Sequence, residues 1–203
     1  TAAYAAMEQT RSRLEIASLL AELFHDTPPE ELAAVAHLCL GQLGPAYDSR
    51  EIGLSDKSVL RTLALASGVA LAELQVTYAE AGDIGLVAEE ALAIKAQQPL
   101  FEAPLTVSRV WKRLHTLSRE TGTGSQERKF RALAELLHDG TPQDARYLCR
   151  TAVGKLRLGF SQMLLVDGLA AAFGSRQERG MVEAAYHRRP DIGWLAQRPA
   201  ADF

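Results

Sequence analysis

The sequence predicts an all-α, multi-helix domain built from two related repeats, and three observations support this fold class. Apolar residues recur at helical spacing along most of the 203-residue chain, and Leu14, Ala17, Ser18, Ala21 and Phe24 are expected to share one stripe. Residues that suit helix caps flank many of these segments, and no period-2 strand with a hairpin signal is present. A long segment of the first half of the chain also recurs in the second half.

The recurrence is an alignment of residues 20–43 with residues 133–156 that needs no gap over 24 positions, nine of them identical. After a seven-residue insertion in the first copy, the alignment continues through two more pairs of segments: 51–68 with 157–174, and 78–89 with 186–197. Repeated helical units usually pair around a shared core. We therefore expect one domain over residues 1–203, with copies at about 14–90 and 127–198 related by a pseudo-two-fold rotation.

Helix boundaries are expected where residues have the matching backbone preferences. Pro29 suits the first turn of a helix over residues 30–40, and Thr106 is expected to begin another helix. Short polar side chains predict helix N-caps at five positions: Ser55, Asp83, Ser125, Ser161 and Asp191. Glycines are expected to supply positive φ in tight turns or at helix ends: Gly53, Gly68, Gly159 and Gly174. Residues 94–105, rich in Gln and Pro, are interpreted as the connector between the copies.

Composition excludes several classes of protein. No run of 18 apolar residues is long enough for a membrane span, and the first residues do not form a signal peptide. Cys39 and Cys149 lie in apolar helical patterns, so we expect buried thiols in a reducing compartment, and two cysteines are too few for a zinc cluster. Because the chain does not begin with Met, we expect a processed chain or a piece of a longer protein.

The net charge of −3 hides a gradient along the chain. Residues 1–104 hold six basic and fifteen acidic residues, whereas residues 105–160 hold eleven basic and five acidic residues. Such asymmetry is typical of a surface that faces a polyanion, although two solvated faces of opposite sign would produce the same counts.

Two His-Asp pairs invite an acid-base interpretation: His25-Asp26 and His138-Asp139. Each pair is expected at the end of a helix, where the helix dipole favours His and where Asp can begin a turn. Their recurrence at equivalent positions favours a structural role. The sequence also lacks a phosphate-binding Gly-rich loop with Lys and a Ser nucleophile elbow, so no catalytic or metal-binding residue is assigned.

The segment 154–161 places Lys155 and Arg157 just before Gly159 and the predicted cap Ser161. A helix N-terminus presents backbone N–H groups and a partial positive charge, and nearby cations add charge-assisted hydrogen bonds to a phosphate. The alternative is an ordinary helix corner with solvated cations. The matching corner of the first copy keeps Gly53 and the cap Ser55 and continues to Lys57. It has Gln42 and Glu51 at the positions of Lys155 and Arg157, so we expect it to bind phosphate less well.

A second segment, 122–129, has the same character. Gly124 and Ser125 allow a close backbone approach at a helix start, Gln126 follows them, and Arg128 and Lys129 are expected to reach outward. Two such segments within one basic stretch favour a phosphate-binding surface.

These residues carry a family resemblance. The chain resembles the N-terminal DNA-binding domain of ATP-dependent DNA ligases of the archaeal and eukaryotic replicative type. Five stretches occur in the family's order over nearly the whole chain: SRLEIASLLAELF (12–24), GDIGLVAE (82–89), LTVSRVWKRL (105–114), GTGSQERK (122–129) and GKLRLGFSQMLLVDGLAAAF (154–173).

The resemblance implies an all-helical domain that grips the minor groove of nicked duplex DNA, without sequence preference, through loops and helix ends. It implies DNA contacts at nine residues: Gly124, Ser125, Gln126, Arg128, Lys129, Lys155, Arg157, Gly159 and Ser161. Lys57, in the matching corner of the first copy, is predicted as a tenth contact. It also implies a cytoplasmic, nucleoid-associated monomer that works with nucleotidyltransferase and OB-fold domains in DNA replication, repair and recombination. ATP and Mg²⁺ are expected for the nucleotidyltransferase domain, and no cofactor is expected in this chain.

One feature of the family is absent from this sequence. The nucleotidyltransferase domain uses Lys-x-Asp-Gly, and none of the five lysines here is followed by x-Asp-Gly. We therefore expect a part of a ligase or a stand-alone relative that has no ligase activity by itself. Two other functions stay open at this point: a helical protein-interaction scaffold that does not bind DNA, and a small hydrolase that uses a His-Asp pair.

Overall fold

The computed structural model describes residues 1–48, 50–94, 105–173 and 178–198. Within these ranges every helix or strand assigned is an α-helix, which confirms the all-α prediction. The helices are α1 (Ala2–Glu8), α2 (Arg13–His25), α3 (Leu32–Cys39), α4 (Asp56–Ser67), α5 (Leu71–Ala81), α6 (Ile84–Ala93), α7 (Val107–Arg119), α8 (Ser125–Asp139), α9 (Pro142–Ala152), α10 (Gln162–Phe173), α11 (Arg179–Arg188) and α12 (Ile192–Ala196).

The chain forms two compact units, and the first combines both ends of the sequence. Unit 1 comprises Thr1–Arg50 and Arg157–Phe203. Its main packing joins α2 to α10 and α3 to α12. Gly168 permits the close approach of α10 to α2, because a Cβ at this position would lie 2.7 Å from the Cβ of Leu20. Leu20 and Phe24 of α2 are fully buried and anchor this core.

Unit 2 comprises Glu51–Leu156, the continuous middle of the chain. Here α9 packs on α6, α8 packs on α4, and α7 covers α8. Gly85 allows α6 to approach α9, since a Cβ there would lie 2.8 Å from the carbonyl oxygen of Arg146. Leu63 of α4 and Leu133 of α8 are fully buried in this core.

The compact units do not coincide with the two copies expected from the alignment. By that alignment α2 and α3 correspond to α8 and α9, and α4 and α6 correspond to α10 and α12. Helices α2 and α3 pack on α10 and α12, whereas α8 and α9 pack on α4 and α6. Each unit therefore takes its two main helix pairs from both copies. The pseudo-two-fold superposition and the single domain over residues 1–203 stay predictions.

Two predicted details of the helices are wrong. Leu14 is 80% exposed and Ser18 is also exposed, so Phe24 is the one fully buried member of the predicted stripe; Ile16 and Leu20 complete the buried face of α2. The predicted helix 30–40 begins later, at Leu32. Its start is delayed because the two prolines at 28 and 29 form a turn, in which the Glu31 N–H donates to the Pro28 carbonyl.

Most of the predicted caps are confirmed. The side chains of Ser55, Asp83, Thr106 and Asp191 accept hydrogen bonds from backbone N–H groups in the first turns of α4, α6, α7 and α12. The three described glycines have positive φ: +68° at Gly53, +78° at Gly68 and +74° at Gly159. Gly174 and residues 95–104 of the predicted connector lie outside the described residues.

Ser125 is not the N-cap of α8, contrary to the prediction. Gly124 occupies that position with φ of +77°, and Ser125 is the first helical residue. A left-handed cap conformation is costly for serine and easy for glycine, so α8 begins one residue earlier than the Ser signal indicates. Ser161 directly precedes α10, and its carbonyl accepts a hydrogen bond from the Leu164 N–H at 3.0 Å.

The two cysteines are buried and unbridged. Burial raises the pKa of the Cys39 thiol to about 12, although a hydrogen bond with Tyr4 opposes the shift. Burial also raises the pKa of Cys149. Both thiols therefore stay protonated and unreactive near neutral pH. Among the described residues, no helix has the length and apolar character that a membrane span requires.

Candidate nucleic-acid interface

The start of α8 is a glycine turn that one arginine holds together. Gly122 and Gly124 both have φ of +77°. From the first turns of α8, the Arg128 side chain reaches back to this turn. Its Nη1 donates to the Thr123 carbonyl and its Nη2 donates to the Thr121 carbonyl, both at 3.2 Å. Its Nε also donates to the Glu120 carboxylate at 2.5 Å. Arg128 is half-exposed, so it orders this loop and still presents charge to solvent.

Lys129 does not reach outward, contrary to the prediction. It is 7% exposed, and its ammonium donates a 2.6 Å hydrogen bond to the carbonyl of Ile52. The helical turn of α8 directs this side chain inward, one position beyond the outward-facing Arg128. Gly53 follows the acceptor, and a Cβ at Gly53 would lie 3.7 Å from the Lys129 ammonium. Lys129 therefore supports the turn that leads into α4.

Lys155 contacts the same segment of unit 2 as Lys129, the turn that leads into α4. It follows the end of α9, where its N–H donates to the Arg150 carbonyl at 2.8 Å. Its exposed ammonium pairs with the Asp56 carboxylate, in the first turn of α4, at 3.0 Å. The adjacent Lys57 is exposed. Residues 52–57 are thus contacted by Lys129 from α8 and by Lys155 from the end of α9.

The rest of the predicted corner belongs to unit 1. Arg157 is exposed and adopts φ of +58°, the one positive value among the described non-glycine residues. A left-handed arginine costs about 1 kcal/mol or more. Gly159 has the same sign of φ without that cost, and Ser161 begins α10. Because Lys155 and Arg157 fall in different units, a common surface for the two segments stays a prediction.

Sequence reasoning missed the ionic centre of unit 2. Arg150 is 4% exposed and binds Asp83 with two hydrogen bonds, Nε to Oδ1 at 3.0 Å and Nη2 to Oδ2 at 2.9 Å. Burial alone would raise the pKa of Asp83, but the hydrogen bonds and charge of Arg150, together with the N–H groups of Gly85 and Leu86, lower it below its ordinary value. This pair joins α6 to α9.

A related pair occurs at the equivalent position of unit 1. His37 Nε2 lies 3.3 Å from Asp191 Oδ1, and both residues are buried. In the alignment His37 corresponds to Arg150, and Asp191-Ile192-Gly193 corresponds to the segment that begins at Asp83. The recurrence of Asp-Ile-Gly opposite a basic residue was therefore a signal present in the sequence, although the sequence alone did not pair the residues.

The His-Asp pairs do not form an acid-base site. His25 and Asp26 are 3.3 Å apart, but both side chains are more than three-quarters exposed. In the second pair, Asp139 binds Arg109 instead. Within the described ranges, no group of three or more His, Cys, Asp or Glu residues could hold a metal ion.

Comparison with known proteins adds evidence from the whole sequence. The family described as DNA ligase N terminus matches residues 1–170. Relatives include DNA ligase 2 of Thermofilum pendens, 42% identical over 96% of this chain, and a DNA ligase of Pyrobaculum arsenaticum, 41% identical over 98%. DNA ligase 2 of Korarchaeum cryptofilum is 40% identical over 96%.

The chain spans about a third of the length of these curated relatives, 34%, 34% and 33% respectively. The matched segment includes the glycine turn at residues 122–124 and the Asp83–Arg150 pair, whereas Asp191 of the second buried pair lies beyond it. On this evidence the chain belongs to the DNA ligase N-terminal family.

Proposed function

We propose that this chain is the part of a DNA ligase that binds nicked duplex DNA through the phosphate backbone, without sequence preference. The observation that carries the proposal is the arrangement in unit 2, where exposed Lys57, Lys155 and Arg128 surround the first turns of α4 and α8. Family membership supports the substrate class. Sequence-independent binding suits a nick, which occurs in any sequence context.

The exposed pair between Lys155 and Asp56 does not prevent phosphate binding. Both side chains are solvent-accessible, at 51% and 31%, and such pairs contribute little to stability. A DNA phosphate can therefore replace the Asp56 carboxylate as the partner of Lys155. In the proposal, Lys57, Gly124, Ser125, Gln126 and Arg128 also face the backbone, whereas Lys129 supports them from the interior.

The proposal includes the unit 1 part of the corner and the remainder of the ligase. Arg157, Gly159 and Ser161 present one cation and the start of α10 to DNA. The parent protein would supply nucleotidyltransferase and OB-fold domains, ATP and Mg²⁺, and would act in replication, repair and recombination as a monomer in the nucleoid.

A salt titration of binding to a nicked duplex tests this function. Each neutralised phosphate contributes about −0.9 to the slope of log K against log salt. The double variant Lys155→Ala, Arg157→Ala should flatten that slope by up to about two units and weaken binding equally for unrelated duplex sequences. The control is the first-copy pair Gln42→Ala, Glu51→Ala, which should leave the slope unchanged.

The same experiment separates DNA binding from a protein scaffold. Absence of binding to nicked duplex at low salt would contradict the proposed function. An unchanged slope in the double variant would instead remove Lys155 and Arg157 from the interface.

A further inference from the structure

Two arginines of unit 1 stack on one tryptophan ring. The guanidinium carbon of Arg198 lies 4.5 Å from the ring centroid of Trp194, and that of Arg189 lies 4.9 Å from it. Trp194 lies in the first turn of α12, where its backbone N–H donates to Asp191 Oδ1 at 3.0 Å. Stacking on an indole restricts long side chains that otherwise have large conformational freedom. The ring therefore orders two cations at one place.

The charge of this cluster is largely uncompensated. Arg188, next to Arg189 at the end of α11, is exposed. No carboxylate of the described residues pairs with Arg188 or Arg198, and the one carboxylate near Arg189 is that of Asp191, 3.6 Å from its Nη2. Asp191 is itself buried beside His37. Of these three arginines, only Arg189 thus has a carboxylate partner among the described residues, and that carboxylate is already engaged by His37.

Such an arrangement fits an external anion better than a structural role. Two guanidinium groups on one ring are no more than about 9 Å apart, and at that distance their charges repel. Unit 2 provides the contrast, because Arg146 and Arg150 also approach the ring of Tyr147. Those two arginines bind the carboxylates of Glu89 and Asp83 within the unit. Near Trp194 the corresponding charge faces solvent.

We propose that Arg189 and Arg198, ordered by Trp194, form with the neighbouring Arg188 a second binding site for the phosphate backbone of duplex DNA; we call these three arginines the Trp194 cluster. This inference rests on the proposed function, because that function supplies the duplex. The planar guanidinium fork matches the oxygens of a phosphate and donates two parallel hydrogen bonds to it. The site contributes affinity for any base sequence, since phosphates carry no base identity.

The first test compares two double variants of unit 1 by salt titration on nicked duplex. Arg188→Ala with Arg198→Ala should flatten the slope of log K against log salt by up to about two units. Arg11→Ala with Arg13→Ala removes the same charge from two exposed arginines outside the cluster and should leave the slope unchanged. Circular dichroism and thermal unfolding should show that both variants remain folded. Equal slopes in the two variants would overturn the proposal.

The second test reads the cluster directly by fluorescence. The chain has two tryptophans, so Trp111→Phe leaves Trp194 as the only emitter. Adding nicked duplex should change the Trp194 emission and saturate together with binding. Adding Arg198→Ala to this variant should reduce the change. A Trp194 emission that stays unchanged when DNA binds would contradict a phosphate site at Trp194.

Two outcomes separate this inference from the function on which it rests. If the wild-type chain does not bind nicked duplex at low salt, the proposed function and this inference both fail. If the wild-type chain binds and the cluster variants bind equally well, only this inference fails. Poly-glutamate of matched charge is the final probe: if the cluster variants lose poly-glutamate binding but keep DNA binding, the partner is an acidic protein and the proposal is wrong.

Discussion

At the scale of single residues, buried and exposed ion pairs are expected to differ in their contribution to stability. Arg150 and Asp83 lie in the interior of unit 2 with two hydrogen bonds between them, whereas Arg131 and Glu127 form a 3.1 Å pair on the exposed side of α8. Removing one partner of a buried pair leaves an uncompensated charge away from water. Removing one partner of an exposed pair leaves a charge that water solvates.

Arg150→Ala should therefore destabilise the protein by about 3–5 kcal/mol, and Arg131→Ala by less than about 1 kcal/mol. Urea denaturation followed by circular dichroism measures both free energies of unfolding. Similar losses in the two variants would show that the Asp83–Arg150 pair is not held in a low-dielectric interior.

The same pair predicts how stability depends on pH. The pKa of Asp83 is lower in the folded protein than its ordinary value of 3.8, so the unfolded chain binds a proton at this residue more readily. The stabilisation is complete above the ordinary pKa and is lost as the pH falls through the folded value. Wild type should therefore be more stable than Asp83→Asn at pH 7, and the difference should shrink below about pH 4. A difference that grows on acidification would contradict this.

At the scale of helices, the caps decide where the elements begin. Ser55 accepts a 3.2 Å hydrogen bond from the Ser58 N–H at the start of α4, whereas the corresponding role at α8 belongs to Gly124. Ser55→Ala should cost about 1 kcal/mol of stability, and Ser125→Ala less than about 0.5 kcal/mol. Thermal unfolding of the two variants checks the difference, and an equal loss would restore Ser125 as a cap.

Helix packing also depends on glycines without side chains. A Cβ at Gly85 would lie 2.6 Å from Arg150 Nε, and a Cβ at Gly180 in α11 would meet nothing within 4 Å. Gly85→Ala should destabilise by about 1–3 kcal/mol, because α6 would be forced away from α9. Gly180→Ala should stabilise by about 0.5–1 kcal/mol, since alanine loses less entropy in a helix. Chemical denaturation measures the change in the free energy of unfolding for both variants. A stabilising Gly85→Ala would contradict the close approach of α6 to α9.

At the scale of the whole molecule, the proposed DNA binding by this chain is expected without the adenylylation chemistry of a ligase. The sequence has no Lys-x-Asp-Gly. Among the described lysines, the buried Lys129 binds the Ile52 carbonyl and Lys155 pairs with Asp56. Incubation of the chain with labelled ATP and Mg²⁺ should therefore leave the protein unlabelled, and it should not seal a nicked duplex. Stoichiometric covalent AMP would contradict the proposal that the ligation chemistry belongs to other parts of the parent protein.

Helix type, most caps and the family resemblance followed from the sequence, because spacing of apolar residues and capping side chains act within a few residues of the chain. The direction of individual side chains did not follow: Leu14 lies outside the core and Lys129 inside it, since each position is decided by which helix packs against it. The partners of α2 and α8 lie more than a hundred residues away or in the other predicted copy. Only tertiary structure selects such contacts, and with them the pairing of Asp83 with Arg150 and the stacking of Arg189 and Arg198 on Trp194.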